Sequence, residues 1–296
     1  MASDYHFLIN PISGGKNKAH IPTQIKKHFE KFGIEPAISI TSSEKETIEQ
    51  AKKLVKDNTP FIVAVGGDGT INNIARNVAN TESTMGIIPF GSGNGFAREL
   101  GLYGNLSKAL SFLTSKNIRT IDTASVNGNF FNNLAGVGFD AHIGNLFANS
   151  GSRGFKTYAK LALKEFNSYK PNTYRVEIDG KLVFNGNALL IAVCNGPQFG
   201  NNAFIAPGAK LDDGKLDICV VKKFPAWASP GVGLAMFTAK AHVLPWLQRF
   251  SGKSITIHRE SEDFINLDGE PLMLDAKLNF EIKPQTLKVL APKTKV

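Results

Sequence analysis

The run Ala64-Val65-Gly66-Gly67-Asp68-Gly69-Thr70-Ile71-Asn72-Asn73 limits what this chain can become more than any other segment. An apolar strand, Phe61-Ile62-Val63-Ala64-Val65, feeds three glycines and one carboxylate, and an amphipathic segment follows at once. Glycine permits positive φ and lets a ligand approach the backbone without a Cβ in the way. Bare N–H groups ahead of a helix N-terminus make a seat for phosphate. Asp68 is then out of place, because a carboxylate repels phosphate unless Mg²⁺ or a proton transfer reconciles them. Strand, glycine loop, acid and helix together read as a nucleotide site for phosphoryl chemistry.

A tight Gly-Gly-Asp-Gly turn would explain this run taken alone, since Gly and Asp are common turn residues. Two further loops weigh against that. Asn10-Pro11-Ile12-Ser13-Gly14-Gly15-Lys16 follows a strand at Tyr5-His6-Phe7-Leu8-Ile9, and Pro89-Phe90-Gly91-Ser92-Gly93-Asn94-Gly95 follows one at Met85-Gly86-Ile87-Ile88. Open α/β sheets bind ligands where loops leave the C-terminal ends of parallel strands. Three glycine-rich loops at such ends point to one shared ligand. The familiar alternatives fail on spacing: no G-x-x-x-x-G-K-[ST] is present, and Gly91-x-Gly93-x-Gly95 is one residue short of G-x-G-x-x-G. No H-R-D or D-F-G follows, which excludes a protein kinase, and Asp212-Asp213-Gly214 lacks the ligands of an EF-hand.

The chain has 34 Lys and Arg against 25 Asp and Glu, a net charge of +9 that suits nucleotide phosphates or acidic lipid headgroups. Without a dense basic block or stacking-aromatic motif, nucleic acid is not expected as a partner. Cys194 and Cys219 lie on apolar runs with no CxxC spacing and read as reduced core residues. Asp4 stands where a signal peptide would be basic, so none is expected. The most apolar stretch, Ala226 to Leu247, is broken by Lys240, His242 and two prolines, so no transmembrane segment is expected either. The expected localisation is cytoplasmic, peripheral to the membrane.

Over the first 120 or so residues, strands near 5–10, 36–41, 60–65 and 84–88 alternate with helices near 19–32, 43–57, 70–80 and 93–116. Ser43 with Glu46 forms a capping box before Ile48, Ala51, Leu54 and Val55, which share a helix face. Such alternation predicts a parallel sheet covered on both faces, a three-layer αβα nucleotide-binding domain. Beyond about residue 118 the pattern turns β-rich. Asn127-Gly128 and Asp179-Gly180 mark hairpins, strand-like runs fall at 174–179, 187–194, 215–222, 253–258 and 277–283, and helices are expected near 153–169 and 230–250. The expected domains are 1–122 with a returning tail 286–296, and 123–285.

Five motifs in order carry a family resemblance: Asn10-Pro11-x-Ser13-Gly14, Gly66-Gly67-Asp68-Gly69-Thr70-Ile71-Asn72, Gly91-Ser92-Gly93-Asn94-x-x-Ala97-Arg98, Asp212-Asp213-Gly214-x-Leu216-Asp217 and Asp268-Gly269-Glu270. The chain resembles the diacylglycerol-kinase-like lipid kinases, especially their soluble bacterial branch, and is similar at longer range to sphingosine and NAD kinases. The resemblance implies a C-terminal β-sandwich domain, an end that returns to the first domain, and an active site in the cleft between domains. It also implies an enzyme of phospholipid biosynthesis that uses ATP and Mg²⁺ to phosphorylate a lipid hydroxyl, diacylglycerol-like or sphingoid, at the membrane surface; a homodimer is compatible with it. The alternatives are a soluble-substrate kinase such as an NAD kinase, or a non-catalytic nucleotide- or lipid-binding regulator.

ATP is assigned to Asn10, Ser13, Gly14, Gly66, Ser92 and Asn94 and to the backbone from Gly67 through Asp68, Gly69 and Thr70 to Asn72, with Lys16 as a point charge on phosphate. Thr41 joins them on the resemblance, and a cap or ST-turn for the next helix explains it equally well. Asp68 organises Mg²⁺ or orients its loop. Asp122, ending an apolar run, extends that polar network or holds backbone amides. By resemblance, the Asp268-Gly269-Glu270 turn supplies the general base from Asp268 or Glu270, and Asp213 binds a bracing Mg²⁺ with the carbonyls of Lys210 and Lys215. One departure stands out: many family members carry an acid where this chain has Gly95, a pattern closer to the Gly-Ser-Gly-Asn of sphingosine kinases.

Between Arg153 and Tyr169, Phe155, Tyr158, Ala159, Ala162, Phe166 and Tyr169 share one helical face, while Lys156, Lys160 and Lys164 lie on another. Packing on the protein core is the first reading and contact with an anionic membrane the second. Trp227, Phe237, Trp246 and Phe250 are likewise expected to pack in the core.

Overall fold

The computed structural model describes residues 3–11, 18–91, 93–151 and 154–292. In chain order the elements begin β1 (Tyr5–Ile9), α1 (Ile21–Glu30), β2 (Ala37–Ile40), α2 (Glu44–Lys56), β3 (Phe61–Gly66), α3 (Asp68–Val78), β4 (Thr84–Pro89), α4 (Gly95–Glu99), α5 (Leu106–Thr114) and β5 (Ile118–Val126). There follow β6 (Asn129–Phe131), β7 (Leu134–Gly138), α6 (Phe139–Ala148), α7 (Phe155–Glu165), β8 (Asn172–Ile178), β9 (Lys181–Ala188), β10 (Leu190–Cys194), β11 (Gln198–Gly200), β12 (Ala203–Phe204) and β13 (Leu216–Val221). The last are α8 (Ser229–Phe237), β14 (Leu247–Gly252), β15 (Ser254–His258), β16 (Asp263–Leu267), β17 (Glu270–Leu274) and β18 (Lys277–Leu290). Two compact units result, residues 1–121 with 285–296, and residues 122–284.

In the first unit, β2, β1, β3 and β4 lie side by side and parallel, with the end of β18 beside β4 through Val289 and Met85. Four of the six β3 side chains in a row after Phe61 are apolar and buried, the composition expected of a strand covered on both faces. Phe29 of α1 meets Tyr5 and Phe7 of β1 edge-on, with ring centroids 4.8 and 5.4 Å apart. Tyr5 keeps its hydroxyl satisfied by donating to the Leu113 carbonyl at 3.1 Å.

Three local expectations need correction here. The helix expected over 93–116 is two, α4 and α5, because Gly101 and Gly104 take positive φ and Asn105 caps a new start by accepting the Lys108 N–H. The third helix begins at Asp68, so the acid sits in its first turn. At α2, Ser43 caps the Glu46 N–H as expected, but the Glu46 carboxylate accepts from Ser42 instead of closing the box on Ser43.

The second unit is a β-sandwich. One sheet runs β18, β15, β8, β9, with the β5–β6 hairpin beside β18, and the other runs β14, β13, β10, β7, β16, β17. Between them lies a core that includes Phe131, Val137, Ile191, Ile218, Ile257 and Phe280. Asn127-Gly128 and Asp179-Gly180 are two-residue hairpin loops with positive φ at both positions, as their composition demands. Cys194 and Cys219 are buried free thiols in an apolar cluster.

Helix α6 was missed by the sequence reading, and the helix expected over 230–250 ends at Phe237 and gives way to strand β14. The α7 face carrying Tyr158, Ala162, Phe166 and Tyr169 packs against Phe139 and Ile143 of α6, so core packing holds for these residues. For Trp227 and Phe237 it does not: they are 79% and 46% exposed. Among the described residues, no helix is long and apolar enough to cross a membrane.

Phe29 is fully buried between α1 and β1. Phe29→Ala should cost about 3–5 kcal/mol. The loss should appear as a lower urea midpoint and reduced amide protection across β1 and α1, with the sandwich amides unchanged.

Candidate functional site

Each glycine loop leaves the C-terminal end of a parallel strand of the first unit. Of the first loop, Asn10 and Pro11 lie within the described residues, while Ser13, Gly14 and Lys16 lie outside them, as does Ser92 of the third. The Asn10 side-chain amide donates to the Thr70 hydroxyl at 3.2 Å, tying the first loop to α3. Gly66 must be glycine, because a Cβ there would stand 2.6 Å from the Thr70 side chain. The Gly66 carbonyl accepts from the Phe90 N–H at 2.7 Å, and a Cβ on Gly91 would stand 2.9 Å from the Gly67 Cα. The second and third loops therefore touch backbone to backbone.

Asp68 makes that contact specific. It is half-buried, and its Oδ2 accepts the Asn94 N–H at 2.9 Å across the gap between loops. Burial pushes its carboxyl up, against backbone hydrogen bonds from Asn94, Gly95 and its own N–H and the charge of Arg98, which pull it down. Asn94, in the left-handed region at φ 50°, accepts from the Gly91 N–H at 2.9 Å and returns its amide to the Gly91 carbonyl at 2.6 Å. The Arg98 Nε donates to the Gly93 carbonyl. With Gly95 as a backbone donor to Asp68, a side chain at that position is not part of the lock.

Thr41 is buried; its hydroxyl lies 2.8 Å from that of Thr47 in α2, and its N–H donates to the Ile9 carbonyl. That is the structural account of Thr41, a tie between the end of β2 and the next helix. Asn72 is buried in α3, and Gly67 is the residue that precedes the helix. One cation escaped the sequence reading. Lys18 is buried, donates to the Asn10 carbonyl at 2.5 Å and lies 5.4 Å from the Phe90 ring centroid. Burial lowers its ammonium to about 8. Nothing in the sequence singles it out; its burial comes from the fold.

The second unit has its own polar network. Asp122 is fully buried; its N–H donates to the Leu211 carbonyl at 2.6 Å and its Oδ2 accepts the Gly214 N–H at 2.7 Å. It holds backbone amides, and the side-chain amide of Asn195 joins it by donating to the Asp122 and Asn132 carbonyls. The Asp268 carboxylate accepts three successive N–H groups, from Asn132 at 2.8 Å, Asn133 at 3.0 Å and Leu134 at 2.9 Å. Asp268-Gly269 is a two-residue hairpin loop between β16 and β17, with φ 50° and 94°, and half-buried Glu270 opens β17 opposite Leu267. The turn reading and the anchoring role therefore coexist at Asp268.

Asp213 is exposed and its Oδ1 accepts the Lys215 N–H at 3.1 Å, closing an Asx turn with exposed Lys210 and Lys215 nearby in sequence. One carboxylate with backbone carbonyls is a hard-oxygen donor set that suits a well-hydrated Mg²⁺. Among the described residues, no group of three or more His, Cys, Asp and Glu could enclose a metal. Asp140 of α6 is another group the sequence did not reveal. It is buried, accepts from the Tyr158 hydroxyl at 2.7 Å and the Asn266 amide at 2.9 Å, and burial raises its carboxyl.

The diacylglycerol kinase catalytic domain family matches residues 4–126, and the YegS C-terminal NAD kinase beta sandwich-like domain matches residues 133–291. The diacylglycerol kinase of Bacillus subtilis (strain 168) is 32% identical over 225 residues, 73% of each chain. The chain belongs to the diacylglycerol kinase family. A Shewanella frigidimarina protein named "Probable lipid kinase YegS-like" is 28% identical over 80% of this chain and 78% of its own. The expected enzyme class, a kinase of the lipid-kinase kind, is the one this family carries. The crystal structure of a diacylglycerol kinase from Bacillus anthracis str. Sterne shares the fold at TM-score 0.78 and 23% identity over the whole of both chains. An Archaeoglobus fulgidus NAD kinase in complex with ATP shares it more distantly, at TM-score 0.55 and 13% identity, with 98% of this chain and 94% of that one covered.

The Lys18 ammonium has an ordinary value of 10.5 and a folded value of about 8. Between those values the unfolded chain holds the extra proton, so stability should rise as pH rises from about 8 towards 10.5. Lys18→Met should remove that increment, seen as urea midpoints that no longer climb between these pH values.

Proposed function

We propose that this kinase transfers the γ-phosphoryl group of ATP to the hydroxyl of a lipid, with Mg²⁺. The observation that carries the reading is the lock between Asp68 and the Asn94 amide, which holds two glycine loops together at the end of a parallel sheet. Phosphoryl transfer asks mainly for positioning and charge stabilisation, and a pre-braced row of backbone amides supplies positioning without further ordering. Family membership, together with relatives named for diacylglycerol and lipids, supports a lipid acceptor.

In this reading the loop amides from Gly67 to Asn72 and the first-loop residues around Asn10 hold the phosphates, and Lys18 keeps the Asn10 backbone in place. The acceptor hydroxyl oxygen attacks the γ-phosphorus; the new O–P bond forms as the bond to the β,γ-bridging oxygen breaks and ADP departs. The hydroxyl proton passes to a carboxylate of the Asp268-Gly269-Glu270 turn. When bound, Mg²⁺ would neutralise phosphate charge, and Asp213 with the Lys210 and Lys215 carbonyls would be a second, structural position for it. The protein is proposed to act from the cytoplasm on lipid at a membrane surface, in phospholipid metabolism.

The test is transfer of label from radiolabelled ATP, with Mg²⁺, to micellar diacylglycerol, monoacylglycerol, phosphatidylglycerol, sphingosine and ceramide, with NAD alongside. A labelled lipid made by the wild type and reduced at least about 100-fold in Asp68→Ala is the expected result. Labelled NADP with no labelled lipid would replace this reading with the soluble-substrate one, and binding of ATP without any transfer would replace it with a regulator. Glu270→Gln and Asp268→Asn separate the proton acceptor from the anchor. Loss of turnover at unchanged melting temperature marks the acceptor; loss of both marks the carboxylate that holds residues 132–134.

A further inference from the structure

Between β13 and β14 the chain leaves its hairpin and returns. Val221 and Leu247 are paired, and the Lys222 N–H donates to the Trp246 carbonyl at 2.8 Å, so everything between is an excursion from a closed ladder. Its centre is α8, Ser-Pro-Gly-Val-Gly-Leu-Ala-Met-Phe, which carries no charge and has no buried residue. A helix that is apolar on every side belongs in a protein core or in lipid. Here it is on the surface. Trp227 is 79% exposed, Leu234 66% and Val243 63%, with Phe237 nearly half so. Large apolar side chains gathered in this way mark an interaction surface.

The charge around it says what kind. From Ile218 to Arg259 the chain contains no Asp or Glu, while Lys222, Lys223, Lys240, Arg249, Lys253 and Arg259 are all cationic. Lys222 stands exposed where the excursion begins and Lys240 just beyond α8. Its base is rigid. Lys223 Nζ donates to the Phe166 and Tyr169 carbonyls and lies 4.3 Å from the Phe166 ring centroid. Phe224 packs against Phe166 at 4.7 Å and Trp246 at 5.6 Å. The excursion thus holds an apolar tip with a cationic rim, and a bulky indole at the edge where amphipathic aromatics favour the lipid–water interface.

We propose that residues 222–246 are a membrane-docking element that seats Trp227, Leu234 and Phe237 in the headgroup region of an anionic bilayer, with Lys222 and Lys240 on lipid phosphates. A second copy of this chain fits the surface less well. An isologous pairing would bring the same cations together, and the segment has no acid to receive them. The proposal rests on the lipid-acceptor reading only for why a kinase needs such a surface; docking itself involves no ATP and is measured without it.

The test uses the full chain with vesicles of phosphatidylcholine alone or of equal phosphatidylcholine and phosphatidylglycerol, read by co-sedimentation and tryptophan emission. Binding and a blue shift on the phosphatidylglycerol vesicles are expected, with Trp227→Phe keeping the binding and losing most of the shift, since Trp246 is already packed. Leu234→Glu with Phe237→Glu should cut partitioning at least roughly tenfold. Lys222→Glu with Lys240→Glu should weaken it through charge alone. Unchanged circular dichroism and unchanged transfer to detergent-dispersed acceptor show that the variants fold. Wild-type protein that ignores anionic vesicles, or undiminished partitioning of the variant carrying Leu234→Glu and Phe237→Glu, would overturn the proposal. So would a dimer in solution that the same variant dissolves, which would give the surface to a second copy. Vesicle binding without any kinase activity would sink the lipid-kinase reading and leave this one standing.

Discussion

One carboxylate organises the glycine-loop end of the first unit. Asp68 opens α3, where the helix dipole favours negative charge, and reaches across to the Asn94 N–H of the next loop. Around it, Gly66 and Gly91 are glycines because any Cβ would collide with Thr70, Gly67 or Asn94. Removing the acceptor would leave the partly buried Asn94 N–H of the third loop without its protein partner, at a cost up to about 1–3 kcal/mol. The acid that looks misplaced in a phosphate loop is what gives that loop its shape, and the bracing can be in place before any ligand arrives.

The sandwich uses the same device. Asp268 gathers three backbone N–H groups, Asp122 gathers that of Gly214, and Asn195 links the Asp122 and Asn132 carbonyls. Buried carboxylates satisfied by main-chain donors hold turns in one conformation where apolar packing has no purchase. A turn built on such an anchor is held more tightly than one on a free loop.

Much of this could be read from the sequence because it is local. Strands ending in glycine loops, Asn-Gly and Asp-Gly hairpins, and apolar runs around the two cysteines follow from rules that span a few residues. The break between α4 and α5 was also local, written in Gly101, Gly104 and Asn105, and was overridden by the helical periodicity on either side. What stayed hidden depends on long-range pairing. Asn132 and Asn133 meet Asp268 across more than 130 residues of sequence, and Asp140 meets Asn266 across 126. The burial of Lys18 against Phe90 is likewise not written in its neighbours in sequence. The exposed face of α8 was illegible for the opposite reason: its composition is that of a core helix, and sequence carries no record of which apolar helices stay at the surface.

The most direct measurement of the central claim is calorimetric titration of the wild type and of Asn94→Ala with Mg²⁺-ATP. Asn94→Ala leaves Asp68 in place but deletes both side-chain bonds to Gly91. If braced loops form the nucleotide seat, affinity should fall at least about tenfold, equivalent to about 1.4 kcal/mol, measured well below the melting temperature, which two lost hydrogen bonds and an alanine at φ 50° will lower. Undiminished binding in the variant would mean that the nucleotide does not depend on the bracing of the third loop by Asn94, and the account of the site would fail.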